Sequence, residues 1–176
     1  MKKLFLVGAI ALFGAVNAQT TGGFKLGAHI GLPVGDAAEG LDFNAGVDVA
    51  YTWRVAPNFD LGITSGYSHY FGEDVEIPAI VIGGQVVIPA QSYSTGGGII
   101  PLAATAQYSF NEKFFLGADL GYAFYTGEDA EGGDFYYQPK VGYSLNAKND
   151  LYLGYKGISS DGATLSSINL GYAYKF

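Results

Sequence analysis

Apolar residues alternate with small or polar ones in eight separate stretches of this chain. A β-strand is the element with a period of two, so each stretch predicts a strand with one apolar face. Gly23 to Leu32 carries Phe24, Leu26, Ala28, Ile30 and Leu32 on that face. Phe43 to Trp53 carries Phe43, Ala45, Val47, Val49, Tyr51 and Trp53, and Phe59 to Phe71 carries Phe59, Leu61, Ile63, Tyr67 and Phe71. Ile100 to Phe110, Phe114 to Tyr125 and Phe135 to Leu145 continue the pattern, and Leu151 to Ile158 and Ser167 to Phe176 complete it. Most stretches have the roughly 9–11 residues that a tilted strand needs to cross a bilayer. The predicted fold is all-β: an eight-stranded antiparallel up-and-down barrel.

The connections alternate in length. Residues 54–58, 111–113 and 146–150 are short and rich in Asn and Pro, as turns are. Those near 33–42, 72–99, 126–134 and 159–166 are mostly longer. Transmembrane barrels have short periplasmic turns and longer outer loops. Charge divides the same way. The longer loops carry Asp36, Glu39, Asp42, Glu73, Asp74, Glu76, Glu128, Asp129, Glu131, Asp134 and Asp161 with no Lys or Arg, while Arg54, Lys113 and Lys148 lie in the short turns. Gly66 to Asp74 and Gly121 to Asp129 form a weak internal repeat, read as a duplicated hairpin of the barrel wall.

The first residues have a different character. Lys2 and Lys3 precede a continuous apolar run from Leu4 to Val16, and Val16-Asn17-Ala18 supplies small residues for cleavage between Ala18 and Gln19. This predicts a signal peptide over residues 1–18 and a barrel domain over 19–176. The run is too short for a spanning helix. The chain has no cysteine, which excludes disulfides. Loss of Lys2 and Lys3 takes the formal charge from −7 to −9. Nucleic-acid binding, which needs a basic patch, is therefore not expected.

A soluble barrel would show the same alternation with the apolar face inward. Its other face would then bristle with Lys, Glu and Thr. Here that face is mostly Gly, Ala, Ser and Tyr, with a few nearly balanced charges: Lys25, Lys140, Lys156 and Lys175 against Asp48, Asp60 and Asp119. Small residues and paired charges suit the crowded interior of a narrow barrel, leaving the apolar face for lipid. Trp53, Phe59, Tyr108, Phe110, Phe114, Tyr143 and Phe176 cluster near the short turns, where an interfacial girdle would lie.

The last residues, Leu-Gly-Tyr-Ala-Tyr-Lys-Phe, resemble the C-terminal signal of bacterial outer-membrane barrels. Leu170, Tyr172, Tyr174 and Phe176 stand at the alternating apolar positions. With the signal peptide, they make the whole mature chain resemble small outer-membrane barrels of the outer-membrane protein A and X type and the "porin family". The resemblance implies the outer membrane of a Gram-negative envelope, and contact with its lipid and lipopolysaccharide. It also implies recognition by the barrel-assembly machinery. Pro139, and Pro101 nearer a strand end, depart from the pattern, because a mid-strand proline forfeits a ladder hydrogen bond; a bulge is expected at each.

Candidate chemistry is sparse. Pairing the predicted strands about their loops sets Asp119 opposite Lys140 and Lys140 opposite Lys156. An eight-stranded barrel is just wide enough for side chains to fill it. The seven interior charges are therefore expected to form a structural ion-pair network, with an ion-selective constriction as the other possibility. Ser65 and His69 share an apolar face but sit four residues apart, about 13 Å along a strand at ~3.3 Å per residue, too far to hydrogen-bond as a nucleophile and base must. No catalytic residue, metal site or cofactor is expected; Glu128 to Asp134 lacks the EF-hand spacing. Residues 77–90 read as an apolar hairpin about Gly83-Gly84, either an extension of its flanking strands or a surface for an unknown partner. The expected role is structural or surface-binding without catalysis, and the alternatives are a narrow passive channel and a lipid A-modifying enzyme.

Overall fold

The computed structural model describes residues 22–35, 39–83, 85–127, 132–160 and 163–176. The strands are β1 (Gly22–Val34), β2 (Leu41–Ala56), β3 (Phe59–Gly72), β4 (Asp74–Ile77), β5 (Ile80–Ile82), β6 (Gln85–Ile88), β7 (Gln91–Ser94), β8 (Gly97–Ser109), β9 (Phe114–Thr126), β10 (Gly133–Asn146), β11 (Asn149–Ser160) and β12 (Ala163–Lys175). β1, β2, β3 and β8 to β12 close into one antiparallel barrel, each pairing with its neighbour around the ring and β1 with β12. These are the eight strands that the alternation predicts. Most run longer than their apolar stretches, the seventh from Asn149 to Ser160.

Burial is inverted relative to a soluble protein. Leu32, Leu120 and Leu170 are more than half exposed, whereas His29, Asn44, Ser68, Asp119, Gln138, Lys156 and Asn169 are buried. Such an apolar surface, continuous around a closed barrel, is stable only against lipid. Among the described residues no helix is long and apolar enough to cross a membrane; the chain crosses with strands. Aromatic side chains gather at both ends of the apolar belt. Tyr51, Trp53, Tyr108, Phe110, Phe114, Tyr143 and Phe176 ring the turn end. Phe43 stacks on Phe71 at 4.4 Å at the other, where Tyr122 and Phe124 meet edge to face. The sequence had pointed to the first girdle only.

The short turns are built by Asn. Asn111 Oδ1 accepts from the N–H groups of Lys113 and Phe114, both at 2.8 Å, and Asn146 Oδ1 from that of Lys148 at 2.9 Å. The last turn is only Ala147 and Lys148. Asp150, assigned to the turn by its sequence position, is instead a buried β11 residue, and Arg54 stands within β2. In the connection from β3 to β8, β4 pairs with β7 and β5 with β6, as two two-stranded ladders outside the barrel sheet. Gly83, at φ +61°, turns the chain between β5 and β6. Of the acidic loop residues, Asp36, Glu128, Asp129, Glu131 and Asp161 lie outside the described residues, as do Ala18 and Gln19.

The expected bulges at Pro101 and Pro139 do not form. Tyr137 pairs with Gly157 and Lys140 with Gly154, in one unbroken register, and only the two intervening pairs are missing. Around Pro101, Ser65 pairs with Leu102 and Ser68 with Ile99, again in one register with two pairs missing. Each proline loses ladder contact on one side while its other neighbour stays paired, Pro139 with Ala118 and Pro101 with Ala123. The second ladder holds the strand in register, so no extra residue is inserted.

β12 closes the ring through Phe176, whose N–H donates to the Phe24 carbonyl at 3.0 Å and whose ring lies 5.0 Å from that of Tyr174. Deleting Phe176 removes the last closing bond and the most exposed apolar side chain at the turn end. We expect such a chain to accumulate unfolded in the periplasm. Heat-modifiable gel mobility at the wild-type outer-membrane yield would contradict this.

Candidate functional site in the lumen

The lumen is filled in three tiers. At the loop end, Tyr70, Ile99, Ala103, Ala123, Tyr136 and Ile158 form a buried apolar cluster, with Leu41, Tyr125 and Leu165 packed against it. It packs across the lumen at the loop end of the strands. Tyr70 reaches Ser167 on the far wall at 3.3 Å.

The middle tier is polar. His29, Gly46 and Ser68 lie in one row across β1, β2 and β3. Gly46 has no side chain, and a Cβ there would stand 2.8 Å from His29 Nε2. The imidazole therefore passes over β2 to reach Ser68. His29 Nδ1 lies 2.7 Å from Asp48 Oδ2, and Nε2 lies 2.8 Å from Ser68 Oγ. With Nδ1–H donated to the carboxylate, Nε2 is the acceptor. From the opposite wall, Lys156 Nζ donates to Ser68 Oγ at 2.7 Å and lies 2.9 Å from His29 Nε2. Tyr152, lying over Gly171, donates to Asp48 at 3.0 Å. A cation and an anion are thus joined through a serine and a histidine.

The turn-end tier holds the remaining charges. Lys140 Nζ reaches both oxygens of Asp119, at 2.8 and 2.7 Å. The two are not directly opposite: Lys140 pairs with Gly117 and Asp119 with Gln138, so the contact is diagonal. Nor does Lys140 oppose Lys156; its β11 partner is Gly154. The strands extend further into the turn than the apolar pattern reveals, which shifts the register by two. Lys25 and Lys175 are paired across β1 and β12, and each turns to its own partner. Lys25 donates to Gln107 at 3.0 Å and Lys175 to Asp150 at 2.8 Å. Asp60 pairs with Arg54 at 2.8 Å near the mouth. The seven interior charges proposed from sequence all face the lumen or its mouth, but they form separate clusters rather than one network. Ser68, Gln107, Tyr152 and Asp150 were missed, and His29, an interior position by the strand alternation, was not linked to its partners. The row through Gly46 was the available signal for His29 and Ser68, and it becomes visible only once hairpin register is counted.

Ser68, His29 and Asp48 have the hydrogen-bond order of a nucleophile, base and orienting acid. Ser68 is 1% exposed, however, and Lys156 occupies its other side. No electrophile can approach such an oxygen without the plug opening. Ser65 and His69 face outward on β3, where His69 Nδ1 meets Tyr67 Oη at 3.1 Å. Among the described residues no group of acids and histidines could hold a metal ion. Below the polar tier lie a cavity of about 70 Å³ and, at the turn end, an open vestibule of about 500 Å³.

A family model described as "Putative MetA-pathway of phenol degradation" matches residues 9–176. No curated protein sequence matches the chain. Among solved structures, the chain is similar to the Yersinia pestis outer membrane protein Ail in a phospholipid bilayer nanodisc, at 13% identity and a TM-score of 0.54, covering 89% of this chain and 100% of that one. It is also similar to the N-terminal β-barrel domain of Pseudomonas aeruginosa OprF, at 11% identity and a TM-score of 0.52 over 90% of this chain and 100% of that one. A de novo designed transmembrane β-barrel matches at 11% identity and a TM-score of 0.53, over 90% and 98% of the two chains. At these identities the likeness is one of fold.

The Asp119–Lys140 contact can be measured directly. Removing either side chain leaves its partner's charge uncompensated beside the small lumen cavity, a loss of at most about 3–5 kcal/mol. Removing both should cost less than the two losses combined, so a double-mutant cycle read by urea unfolding in vesicles should give a clear coupling energy. Simple additivity would mean that the pair does not interact.

Proposed function

Because the chain belongs to that family of outer-membrane barrels, we propose that it is a non-catalytic integral barrel, with a lumen closed to axial flow and its longer loops facing outward. Its role is structural or surface-binding. The observation that carries this is the apolar cluster of Tyr70, Ile99, Tyr136 and Ile158, which fills the loop end of the lumen while the turn end stays open. A closed floor under the loops supports a platform more readily than a pore.

The ladders of β4 with β7 and β5 with β6 are the part of that platform suited to a partner, with Ile77, Val87 and Ile88 exposed. The assembly machinery and lipopolysaccharide are the other partners that this placement entails. The family's description concerns phenol degradation; a barrel of this kind fits such a pathway at the envelope, where compounds are admitted or bound, rather than at the ring chemistry.

Two measurements test the proposal. The reconstituted protein should give no stepwise current in planar bilayers, and steady conductance would replace this proposal with that of a passive channel. A fluorophosphonate probe should leave Ser68 unlabelled in the folded protein. Labelling that disappears in Ser68→Ala would make the His29 cluster a catalytic site.

A further inference from the structure

The β10–β11 seam combines a broken ladder, a lipid-facing groove and a lumen cavity. Gln138 and Pro139 have no partners on β11, because Pro139 brings no N–H to the ladder. Outside, Leu116, Val141, Leu153, Tyr155 and Ile168 wall an apolar groove of about 480 Å³ over Pro139. Inside lies the cavity of about 70 Å³. Groove and cavity share Gly117 and Lys140.

The wall here is bare backbone with one side-chain stem against its lumen side. Gly117 and Gly154 contribute only backbone. A Cβ on Gly154 would stand 2.7 Å from Gln138 Nε2 and 3.2 Å from Lys140 Cγ, and one on Gly117 would stand 3.5 Å from Lys140 Cε. The lysine stem therefore lies against the lumen side of the wall next to the broken pairs, with its ammonium held by Asp119 and 5.5 Å from the Tyr152 ring. Beside it is Gln138, 3% exposed, whose Nε2 has no hydrogen-bond partner among the described residues. A buried donor left unpaired is costly, and an incoming oxygen acceptor would satisfy it. Further toward the turn end, Lys25, Thr52, Gln107 and Phe115 line both the cavity and the open vestibule. The Pro101 seam differs, since the apolar cluster of Ile99, Ala103 and Ala123 backs it.

We propose that the Pro139 seam is a lateral port, through which a small uncharged aromatic molecule bearing one oxygen acceptor passes from the bilayer into the lumen. Its apolar body occupies the groove, and its oxygen accepts from Gln138 Nε2. Lys140 is the bar and Asp119 its latch. A cavity of about 150 Å³ is needed to hold a benzene ring, so the 70 Å³ cavity admits one only when the Lys140 stem swings aside and β10 parts from β11 at the unpaired Gln138 and Pro139. A lipid acyl chain can fill the groove but gains nothing from the buried amide donor. The route leads from lipid to the turn-end vestibule and bypasses the loop-end plug. It therefore goes beyond the closed axial lumen proposed above without contradicting it.

The test uses the full chain in lipid vesicles with Thr105→Cys as the sole thiol. Thr105 is opposite Asp119 and lines the cavity, and the natural chain has no cysteine. Benzyl methanethiosulfonate, uncharged and aromatic, reports entry from lipid, and its sulfonatoethyl analogue reports entry from water through the vestibule. Combining Asp119→Asn with Lys140→Ala removes bar and latch without stranding a charge. The benzyl rate should rise about tenfold or more, with the sulfonate rate within about twofold of its former value. Pro139→Val, which returns an N–H to the β10–β11 ladder and leaves the Asp119–Lys140 pair untouched, should slow the benzyl reagent alone. Parallel changes in both rates, or a benzyl rate indifferent to both variants, would overturn the port. If the double variant fails to fold, the Pro139→Val comparison decides by itself. Neither readout depends on ionic conductance, so failure of the port and failure of the closed axial lumen are told apart.

Discussion

Lipid offers no hydrogen bonds to a peptide group, and the rest of this structure follows from that constraint. Every N–H and C=O of a spanning strand must find its partner in protein. Closing β12 onto β1 leaves the barrel without a free edge. The cost of an unmet bond explains why the two prolines are tolerated where they are. Each keeps a complete ladder on one side, so the register survives and only a local seam opens.

Closure at eight strands then fixes what the lumen can be. The interior is just wide enough for side chains to touch across it, and they do. Lys156 crosses to Ser68, Tyr152 to Asp48, Tyr70 to Ser167 and Lys25 to Gln107. These contacts tie opposite walls together, so the lumen acts as the core while the apolar belt takes the place of a protein surface. Charges in that space cannot be left alone, and each lysine is led to an acceptor. The order of a catalytic triad at Asp48, His29 and Ser68 illustrates the same pressure: a buried cation and anion linked through groups that satisfy both.

Small residues set where the walls can be crossed. Gly46 lets an imidazole span a strand, and Gly117 with Gly154 lets the Lys140 stem lie against bare backbone between groove and cavity. In a barrel this narrow, glycine placement shapes the lumen as much as charged residues do.

The sequence by itself determined the number of strands, their apolar faces, the inverted burial and the two-ended layout. These depend on a period of two and on local turn chemistry, both readable residue by residue. Lys25, Asp48, Asp60, Asp119, Lys140, Lys156 and Lys175 were legible as interior for the same reason. Their partners were not. A strand end misplaced by two residues moved Asp150 from lumen to turn and set Lys140 against the wrong neighbour, because turn length, not side-chain pattern, fixes register. Contacts across the lumen join strands far apart in the chain, and only closure of the ring brings His29, Ser68 and Lys156 to one point. The port at Pro139 needed the same closure. A proline announces a lost hydrogen bond, but whether a cavity lies behind it is decided by what the opposite walls place there.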